Sequence, residues 1–256
     1  MLLKDSVFIV TGSATGIGAA CVLLLAAKGA RVAINYTKSE KDAQETAGSC
    51  EAKGVETIVV RADVSSDQDC RRIAHAALDK WGRIDGLINN AGVTKFAKHG
   101  DLDALDAADF QRIFGVNVIG PFQMVRAVVP AMQKQGAGAI VNISSIAGLT
   151  GMGSSVAYAA SKGALNTMTL SLARALGPAI RVNAVCPGFV ETRWLTGGLG
   201  GSYEGLKQNY ETITPLKSVV YPEDVADAAI WLLEGAGKVT GETILVDSGV
   251  HLGAPR

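Results

Sequence analysis

The sequence predicts an α/β fold, a doubly wound parallel sheet of about seven strands flanked by helices. Short apolar runs rich in β-branched residues alternate with longer helical stretches. These runs are apolar at nearly every position, as strands covered by crossover helices on both faces require. No linker-like segment or internal repeat divides the sequence, so we expect one domain over residues 1–256. The seven runs are residues 7–10, 32–34, 57–60, 84–88, 139–143, 180–185 and 243–246.

The composition argues against several classes of protein. Apolar residues make up 48% of the chain and charged residues 19%, which suits a large globular core. The 24 basic residues balance 24 acidic ones, so a nucleic-acid partner is not expected. Apolar stretches fall short of the roughly 20 residues of a membrane span, and no signal-peptide core is recognisable. Cysteines and histidines lack metal-site spacing. We expect a cytoplasmic protein that binds a small molecule, with no membrane and no metal.

A glycine-rich turn follows the first predicted strand and precedes a helical run over residues 19–28. Glycines let the backbone approach a pyrophosphate closely, and the positive end of a helix favours the anion. The spacing differs from Gly-x-Gly-x-x-Gly, since three residues separate the first two glycines. The pattern still predicts a dinucleotide site, and its candidate binding residues are Gly12, Ser13, Thr15, Gly16, Ile17 and Gly18.

A tyrosine and a lysine with helical spacing are the first catalytic candidates. Tyr158 and Lys162 are four residues apart in a predicted helix over 156–176, so their side chains share one face. A tyrosine with a pKa near 10 is a poor acid or base at neutrality, but a neighbouring ammonium favours the phenolate. We therefore expect Lys162 to lower the pKa of Tyr158.

A serine at the end of the fifth predicted strand completes the catalytic candidates. Ser145 is the last residue of the predicted fifth strand, which continues from the run over 139–143. Its hydroxyl therefore lies at the carboxyl edge of the sheet, where doubly wound folds bind ligands. A hydroxyl there is suited to hold a substrate oxygen. Its neighbour Ser144 is expected to be structural.

These motifs resemble those of the short-chain dehydrogenase/reductase family. The turn from Thr11 to Gly18 resembles the family's Thr-Gly-x-x-x-Gly-x-Gly, and Ser145 lies at the family's offset from the Tyr-x-x-x-Lys pair. The matches run in order from about residue 5 to about 250, and the similarity extends to 3-oxoacyl reductase-like and glucose dehydrogenase-like members. The resemblance implies a Rossmann-type fold and hydride transfer between a nicotinamide and a carbonyl or alcohol.

The resemblance also implies roles for residues that follow the strands. Asp63 and Val64, at the predicted end of the third strand, would contact the adenine. Asn117, in a helical run over 110–132, would hold a water that relays protons to Lys162, which would orient the ribose. The segment after the sixth strand would contact the nicotinamide carboxamide. The further cofactor candidates implied in this way are Asn90, Ala91, Gly92, Pro187, Gly188, Val190 and Thr192.

The end of the second predicted strand bears on the choice between NADP and NAD. A carboxylate there would repel a 2′-phosphate, but the segment reads Asn35, Tyr36, Thr37 and Lys38, with Tyr36 at the discriminating position. The hydroxyls, the amide and the lysine are able to bind a phosphate. NADP is therefore favoured, and NAD remains an alternative because Thr15 stands where NADP-preferring relatives often carry a basic residue.

Two further expectations concern surfaces. Residues 189–215 contain five glycines among apolar residues and are predicted to form an irregular, mobile substrate lid. The predicted helix over 156–176 carries charges only at Lys162 and Arg174, so apolar surface remains after one face packs on the sheet. A homo-oligomer would cover it, and the resemblance implies a tetramer.

The sequence also bears on several alternative functions. A serine hydrolase is disfavoured because the sequence has no Gly-x-Ser-x-Gly elbow. A dinucleotide-binding protein without catalysis is disfavoured by the presence of Ser145, Tyr158 and Lys162. Among enzymes, a 3-oxoacyl thioester reductase competes with sugar, steroid and small-ketone dehydrogenases. The nearly neutral stretches 133–137 and 176–179 make a carrier-protein partner less favoured.

Overall fold

The structure, a computed structural model, describes residues 2–253, and its centre is a parallel sheet. Within those residues the sheet has seven strands in the order β3-β2-β1-β4-β5-β6-β7. The predicted fold class and all seven predicted strands are confirmed. The strands are β1 (Val7–Val10), β2 (Arg31–Tyr36), β3 (Thr57–Arg61), β4 (Gly86–Asn89), β5 (Gly138–Ile143), β6 (Ile180–Pro187) and β7 (Thr243–Val246).

Helices connect the strands and cover both faces of the sheet. They are α1 (Gly16–Ala27), α2 (Glu40–Glu51), α3 (Asp67–Trp81), α4 (Ala107–Phe114), α5 (Gly120–Gln135), α6 (Ala147–Thr150), α7 (Val156–Leu176), α8 (Arg193–Leu199), α9 (Tyr203–Ile213) and α10 (Pro222–Glu234). Short 3₁₀ turns occupy Leu102–Ala104, Gly200–Ser202 and Val250–Leu252. The predicted bounds of α7 are confirmed, whereas α1 begins three residues before its predicted start.

Alternating side chains of the strands feed two hydrophobic layers. Phe8 and Val10 of β1 pack in a layer with residues of α1, α2 and α10. Val7 and Ile9 point to the opposite face and pack with residues of α3 and α5. Burial on both faces explains why the strand sequences are mostly apolar rather than alternating. Because all the strands are parallel, their carboxyl ends lie at one edge of the sheet.

The strand order reverses between β1 and β4. The chain first builds β1, β2 and β3 outward in one direction, then returns to add β4 on the other side of β1. Phe8 of β1 pairs with Gly86 of β4, and the ring of Phe8 fills the space that a side chain at Gly86 would need. The loops that follow β1 and β4 therefore diverge and leave a crevice, the place where open α/β sheets bind ligands.

The helical stretch predicted over 110–132 is longer than expected and is not uniformly α-helical. It runs over Ala107–Gln135, and a π-helical segment, Gly115–Ile119, joins α4 to α5. The stretch is long and apolar enough to cross a bilayer, but 50% of its most apolar window is buried inside the protein. A core helix of a globular protein meets the same criteria.

The prediction that residues 189–215 are irregular is wrong. This lid segment forms α8 and α9, joined by the 3₁₀ turn Gly200–Ser202. The hydroxyl of Thr192 caps α8 by accepting a hydrogen bond from the backbone N–H of Leu195 at 3.4 Å. Phe189 packs on the rings of Tyr203 and Tyr210 at centroid distances of 5.6 and 4.8 Å. This aromatic packing stabilises helices that the glycine content alone disfavours.

Two strand ends also differ from their predicted positions. Strand β3 ends at Arg61, so Asp63 and Val64 lie in the loop after it rather than in the strand. Strand β5 ends at Ile143, although the backbone N–H of Ser144 still bonds the carbonyl of Val185 at 2.7 Å. Ser145 therefore lies just beyond the strand, at the same edge of the sheet.

Candidate active site

A large cavity opens at the carboxyl edge of the sheet, with a volume of about 1330 Å³. Most of the predicted site residues line it together, and they come from the ends of six strands and the loops and helices that follow them. The lining members are Gly12, Thr15, Gly16, Ile17, Asn35, Thr37, Asp63, Val64, Asn90, Ala91, Gly92, Ser145, Tyr158, Lys162, Pro187, Gly188, Val190 and Thr192. The other four, Ser13, Gly18, Tyr36 and Asn117, are buried.

The glycine turn after β1 depends on the absence of side chains at two positions. Gly12 has a φ of +60°, and a Cβ there would lie 2.9 Å from the Cα of Ala91. A Cβ on Gly18 would lie 2.5 Å from the carbonyl oxygen of Gly12. Gly18 therefore lets α1 pack closely beneath the turn, while Gly12 and Gly16 form the cavity floor.

The amino end of α1 fits an anionic group. The helix begins with Gly-Ile-Gly-Ala, and among the described residues the hydroxyl of Thr15, its N-cap, makes no capping hydrogen bond. The first backbone N–H groups of a helix have no partner within the helix. They face the cavity beside Gly16 and Ile17, so this end suits a dinucleotide pyrophosphate.

Two asparagines brace the turn from behind. The Oδ1 atom of Asn35 accepts a hydrogen bond from the backbone N–H of Gly12 at 3.0 Å, while its Nδ2 donates to the carbonyls of Val60 and Ala62. The Nδ2 of Asn90 donates to the carbonyls of Thr11 and Gly12 at 3.0 and 2.9 Å. These amides hold the backbone in place, so the expectation that the Asn35 amide binds a phosphate is wrong.

The other residues at the end of β2 differ in exposure. Tyr36 is buried, and burial followed by the carboxylate of Glu40, to which its hydroxyl is hydrogen-bonded, raises the pKa of its phenol. Thr37 and Lys38 instead are exposed and line the cavity. Of these residues, only Thr37 and Lys38 are placed to contact a cofactor directly.

Helix α7 positions the tyrosine and the lysine. The hydroxyl of Ser155 caps the helix by accepting from the backbone N–H of Tyr158 at 3.3 Å. One helical turn later, Lys162 places its Nζ 5.7 Å from the centroid of the Tyr158 ring. The ammonium donates to the carbonyl of Ile143 at 2.8 Å, and Lys162 is only 4% exposed. Both side chains line the cavity, as their spacing predicts.

The serine pair after β5 separates into a site residue and a structural residue. The Oγ of Ser145 accepts from the backbone N–H of Ala147 at 3.1 Å, and it is near enough to the Tyr158 phenol to lower its pKa. The Oγ of Ser144 donates to the carbonyl of Lys162 at 3.2 Å, behind the site. Ser145, Tyr158 and Lys162 are therefore brought together.

The expectation that Lys162 lowers the pKa of Tyr158 is wrong for this structure. Burial raises the pKa of the Tyr158 phenol to about 12, and the neighbouring hydroxyl of Ser145 only partly opposes this rise. Burial lowers the pKa of the Lys162 ammonium to about 8. Desolvation disfavours the charged form of each group, and its effect on both pKa values outweighs the attraction between a phenolate and the neighbouring ammonium.

Asn117 lies in the π-helical segment and is fully buried. Its Nδ2 donates to the carbonyl of Val93 at 2.9 Å and to the Oγ of Ser161 at 3.0 Å, while its Oδ1 accepts from the backbone N–H of Val93 at 2.8 Å. The amide thus ties the loop after β4 to α7. A water relay at this position stays a prediction, and it would have to use main-chain groups.

The loop after β6 joins the cofactor side of the cavity to the lid. A Cβ on Gly188 would lie 2.8 Å from the Cβ of Asp247, so glycine allows this loop to pass over β7. Val190 bridges to Val220, and the side chain of Thr192 lies over Gly16. Pro187, Gly188, Val190 and Thr192 all line the cavity, where a nicotinamide contact was predicted.

Sequence reasoning missed Phe96 and Met152, which also line the cavity. Trp194, within the segment 189–215, lies near the rings of Phe96 and Tyr158, at centroid distances of 5.6 and 6.0 Å. The position of Phe96 after β4, at the carboxyl edge, was the signal that would have found it.

Comparison with known proteins gives the class of protein. A family model described as Enoyl-(Acyl carrier protein) reductase matches residues 12–251. The chain is 42% identical over 246 residues to a protein of Streptomyces violaceoruber named as ketoacyl reductase 2 of the granaticin polyketide synthase, covering 96% of each. It is 35% identical over 254 residues to L-rhamnose 1-dehydrogenase (NAD(P)(+)) of a Sphingomonas species, covering 98% of each.

A solved structure agrees with these matches. A short-chain dehydrogenase/reductase from Burkholderia xenovorans superposes with a TM-score of 0.91 at 41% identity, over 97% of this chain and 99% of that one. The chain therefore belongs to the short-chain dehydrogenase/reductase family of oxidoreductases, and the resemblance noted in the sequence is confirmed. The expectation of an enzyme that acts on CH–OH or keto groups is confirmed with it.

Proposed function

We propose that this protein is a single-domain NAD(P)-dependent oxidoreductase that interconverts a ketone and a secondary alcohol, with NADP favoured. The observation that carries the proposal is the convergence of Ser145, Tyr158 and Lys162 on one cavity whose floor is the glycine turn. The cavity is continuous between the two sets of residues, so one dinucleotide and one substrate can meet inside it.

Each catalytic side chain has a role that follows from its contacts. Ser145 and Tyr158 both line the cavity and interact electrostatically, so a substrate oxygen bound between their hydroxyls would receive hydrogen bonds from both. A bound reduced nicotinamide supplies the hydride for the carbonyl carbon. Tyr158 gives its hydroxyl proton to the carbonyl oxygen in reduction and takes it back in oxidation. The protonated phenol of this structure is the form that reduction needs.

Lys162 supplies positive charge beneath the phenol. Its ammonium keeps one hydrogen bond to the carbonyl of Ile143, which leaves two N–H groups for the cofactor ribose and for a proton relay. The same charge stabilises the phenolate that forms when Tyr158 gives up its proton. Asn117 acts as a positioning residue, because it ties the loop after β4 to α7.

The preference for NADP rests on the residues after β2. Thr37 and Lys38 face the cavity, and the hydroxyl of Ser39, at the N-cap of α2, makes no capping bond among the described residues. These donors suit a 2′-phosphate. Glu40, bonded to Tyr36, is the feature that favours NAD instead, and one relative is named for both cofactors. Michaelis constants for NADPH and NADH test the preference, and a lower constant for NADH would contradict it.

A 3-oxoacyl thioester is the second candidate substrate. It is favoured by the relative named as a ketoacyl reductase and by the description of the matching family model. The chemistry at the carbonyl would be the same, since a 3-oxo group is also a ketone. Efficient reduction of acetoacetyl-CoA, at a rate above that of free ketones, would support this candidate.

We also propose a cytoplasmic homo-tetramer, following the apolar surface predicted on α7. Val156 and Leu170 of α7 are exposed, as are Phe110, Ile119 and Phe122 of the neighbouring stretch Ala107–Gln135. Exposed apolar side chains on adjacent helices mark a protein interface. Light scattering coupled to gel filtration tests the proposal, and a monomer would contradict it.

A panel of ketones and aldehydes tests the proposed function. We expect NADPH absorbance to fall with at least one ketone in the panel, and secondary alcohols to be oxidised with NADP⁺. Tight cofactor binding without turnover of any panel member would instead favour the dinucleotide-binding protein without catalysis.

A further inference from the structure

Three aromatic rings form a wall along the substrate side of the cavity. The ring of Trp194, in lid helix α8, lies 5.6 Å from the ring of Phe96 and 6.0 Å from the ring of the proposed acid, Tyr158. The planes are tilted by 52° and 44°, so neither neighbour stacks face to face on Trp194. We call Phe96, Trp194 and Tyr158 the aromatic wall.

The wall is apolar surface left open to the cavity. Trp194 is 43% exposed and lines the cavity. The lining beside it includes Met152, Leu199 and Leu206, so the apolar character continues around the wall. When a ligand covers an exposed aromatic surface inside a cavity, the burial of apolar surface stabilises the complex.

Gly198 sets the position of the wall. A Cβ at Gly198 would lie 1.9 and 2.1 Å from the Cε2 and Cζ atoms of Phe96, so the bare backbone of α8 rests directly on that ring. Any larger residue would push the Phe96 ring away from the helix. No described atom lies within 4 Å of a Cβ built on the adjacent Gly197. The two glycines share a helix but differ completely in what a methyl group would meet.

We propose that the aromatic wall, held in register by Gly198, selects ketones carried on flat, unsaturated ring systems over linear ketones. The inference deepens the proposed function and rests on it. Flat π systems gain offset-stacked or edge-to-face contacts with aromatic rings at centroid distances of 4.5–7 Å. A linear alkyl chain gains only apolar burial and loses more rotamer freedom when it is held against the wall.

Two ketones of equal carbon number test the selection. 2-Tetralone carries its carbonyl on a bicyclic system with an aromatic ring, whereas 2-decanone is linear. With NADPH as donor, we expect kcat/KM for 2-tetralone to exceed that for 2-decanone by about three- to tenfold, the range that aromatic contacts contribute. Equal values, or a preference for 2-decanone, would overturn the inference.

Gly198→Ala tests the role of the glycine, with Gly197→Ala as the matched control. Because overpacking displaces the Phe96 ring, we expect Gly198→Ala to lower kcat/KM for 2-tetralone by about fivefold or more. The ratio between the two ketones should collapse toward one, while the KM for NADPH stays unchanged. Gly197→Ala should leave the ratio and the KM as they are. Equal losses in both variants would contradict the assignment.

A double variant identifies the ring through which Gly198 acts. Where Phe96→Ala has already removed the ring, adding Gly198→Ala should have little further effect on the ratio, since the two changes act on one contact. Additive effects would place the action of Gly198 elsewhere. If Gly198→Ala does not fold, Trp194→Leu with Trp231→Leu as control gives the same readout: only the former should lower the ratio.

The outcome separates this inference from the proposed function. Reduction of 2-decanone as efficient as that of 2-tetralone would remove the selection by the wall but leave a ketone reductase. Failure of every carbonyl, with cofactor still bound, would remove the proposed function itself.

Discussion

The two halves of the cavity are built in different ways. On the cofactor half, Asn35 and Asn90 hold the glycine turn through hydrogen bonds to backbone groups, and each contact joins loops at the ends of adjacent strands. On the substrate half, the wall depends on packing between residues far apart in sequence, such as Phe96 and Gly198. The first half is therefore specified by short motifs, and the second by tertiary packing.

This difference teaches where variation is tolerated. A change on the cofactor half disturbs backbone geometry that every dinucleotide needs, so it should affect all substrates alike. A change at Phe96 or Gly198 alters only the shape of the wall, so it should affect one class of substrate more than another. The following variants and conditions test this difference, in order of decreasing expected effect.

Among changes outside the catalytic residues, the largest effect is expected from Gly12→Ala on the cofactor half. The φ of +60° strains a non-glycine residue, and the new Cβ would meet the backbone of Ala91 at 2.9 Å. Strain of about 1–3 kcal/mol would weaken cofactor binding by roughly 5- to 150-fold. Titration with NADPH, followed by its fluorescence, measures this. Gly48→Ala, in helix α2 with no described atom near the new methyl group, should bind NADPH normally.

A smaller effect is expected from pH, because burial lowers the pKa of Lys162 to about 8 while that of Tyr158 is about 12. Below pH 8 the lysine is charged and the phenol is protonated, the pair that ketone reduction needs. Above pH 8 the lysine loses its charge, so kcat/KM for reduction should fall by up to about tenfold per pH unit.

Lys162→Arg provides the control for this pH dependence. Arginine keeps its charge throughout the accessible range, so any remaining activity should lose the decline above pH 8. If the decline persists unchanged in that variant, another group is responsible for it.

The smallest effect is expected from Asn35→Ala, which removes the hydrogen-bond partner of the Gly12 N–H and of two carbonyls at the end of β3. Unsatisfied buried groups cost about 1–3 kcal/mol. For a chain of this size the melting temperature should fall by roughly 2–4 °C for each kcal/mol. Thermal unfolding by circular dichroism measures the shift. Asn209→Ala, at an exposed position in α9, should leave the melting temperature nearly unchanged.

The sequence predicted the sheet and most of the cofactor half because those features are local. Each of the seven strands is a mostly apolar run, and the turn after β1 shows its glycines directly. The four-residue spacing of Tyr158 and Lys162 likewise fixes a shared helix face. Such signals require no knowledge of distant contacts.

Features that depend on burial and distant packing were not predictable in this way. The glycines of the lid suggested an irregular segment, but its helices are stabilised by Phe189, Tyr203 and Tyr210 once the chain is folded. The sign of the Tyr158 pKa shift was also wrong, because desolvation depends on how many neighbours exclude water. The bracing role of Asn35 became visible only when its partners were known.

The central claim is that Tyr158 exchanges the proton with the substrate oxygen, and Tyr158→Phe tests it most directly. The measurement is kcat for a ketone that the unaltered enzyme reduces, alongside NADPH affinity in the same preparation. We predict that kcat falls by about 10²- to 10⁴-fold while the affinity for NADPH is retained. A kcat within a few-fold of the unaltered enzyme would contradict the account.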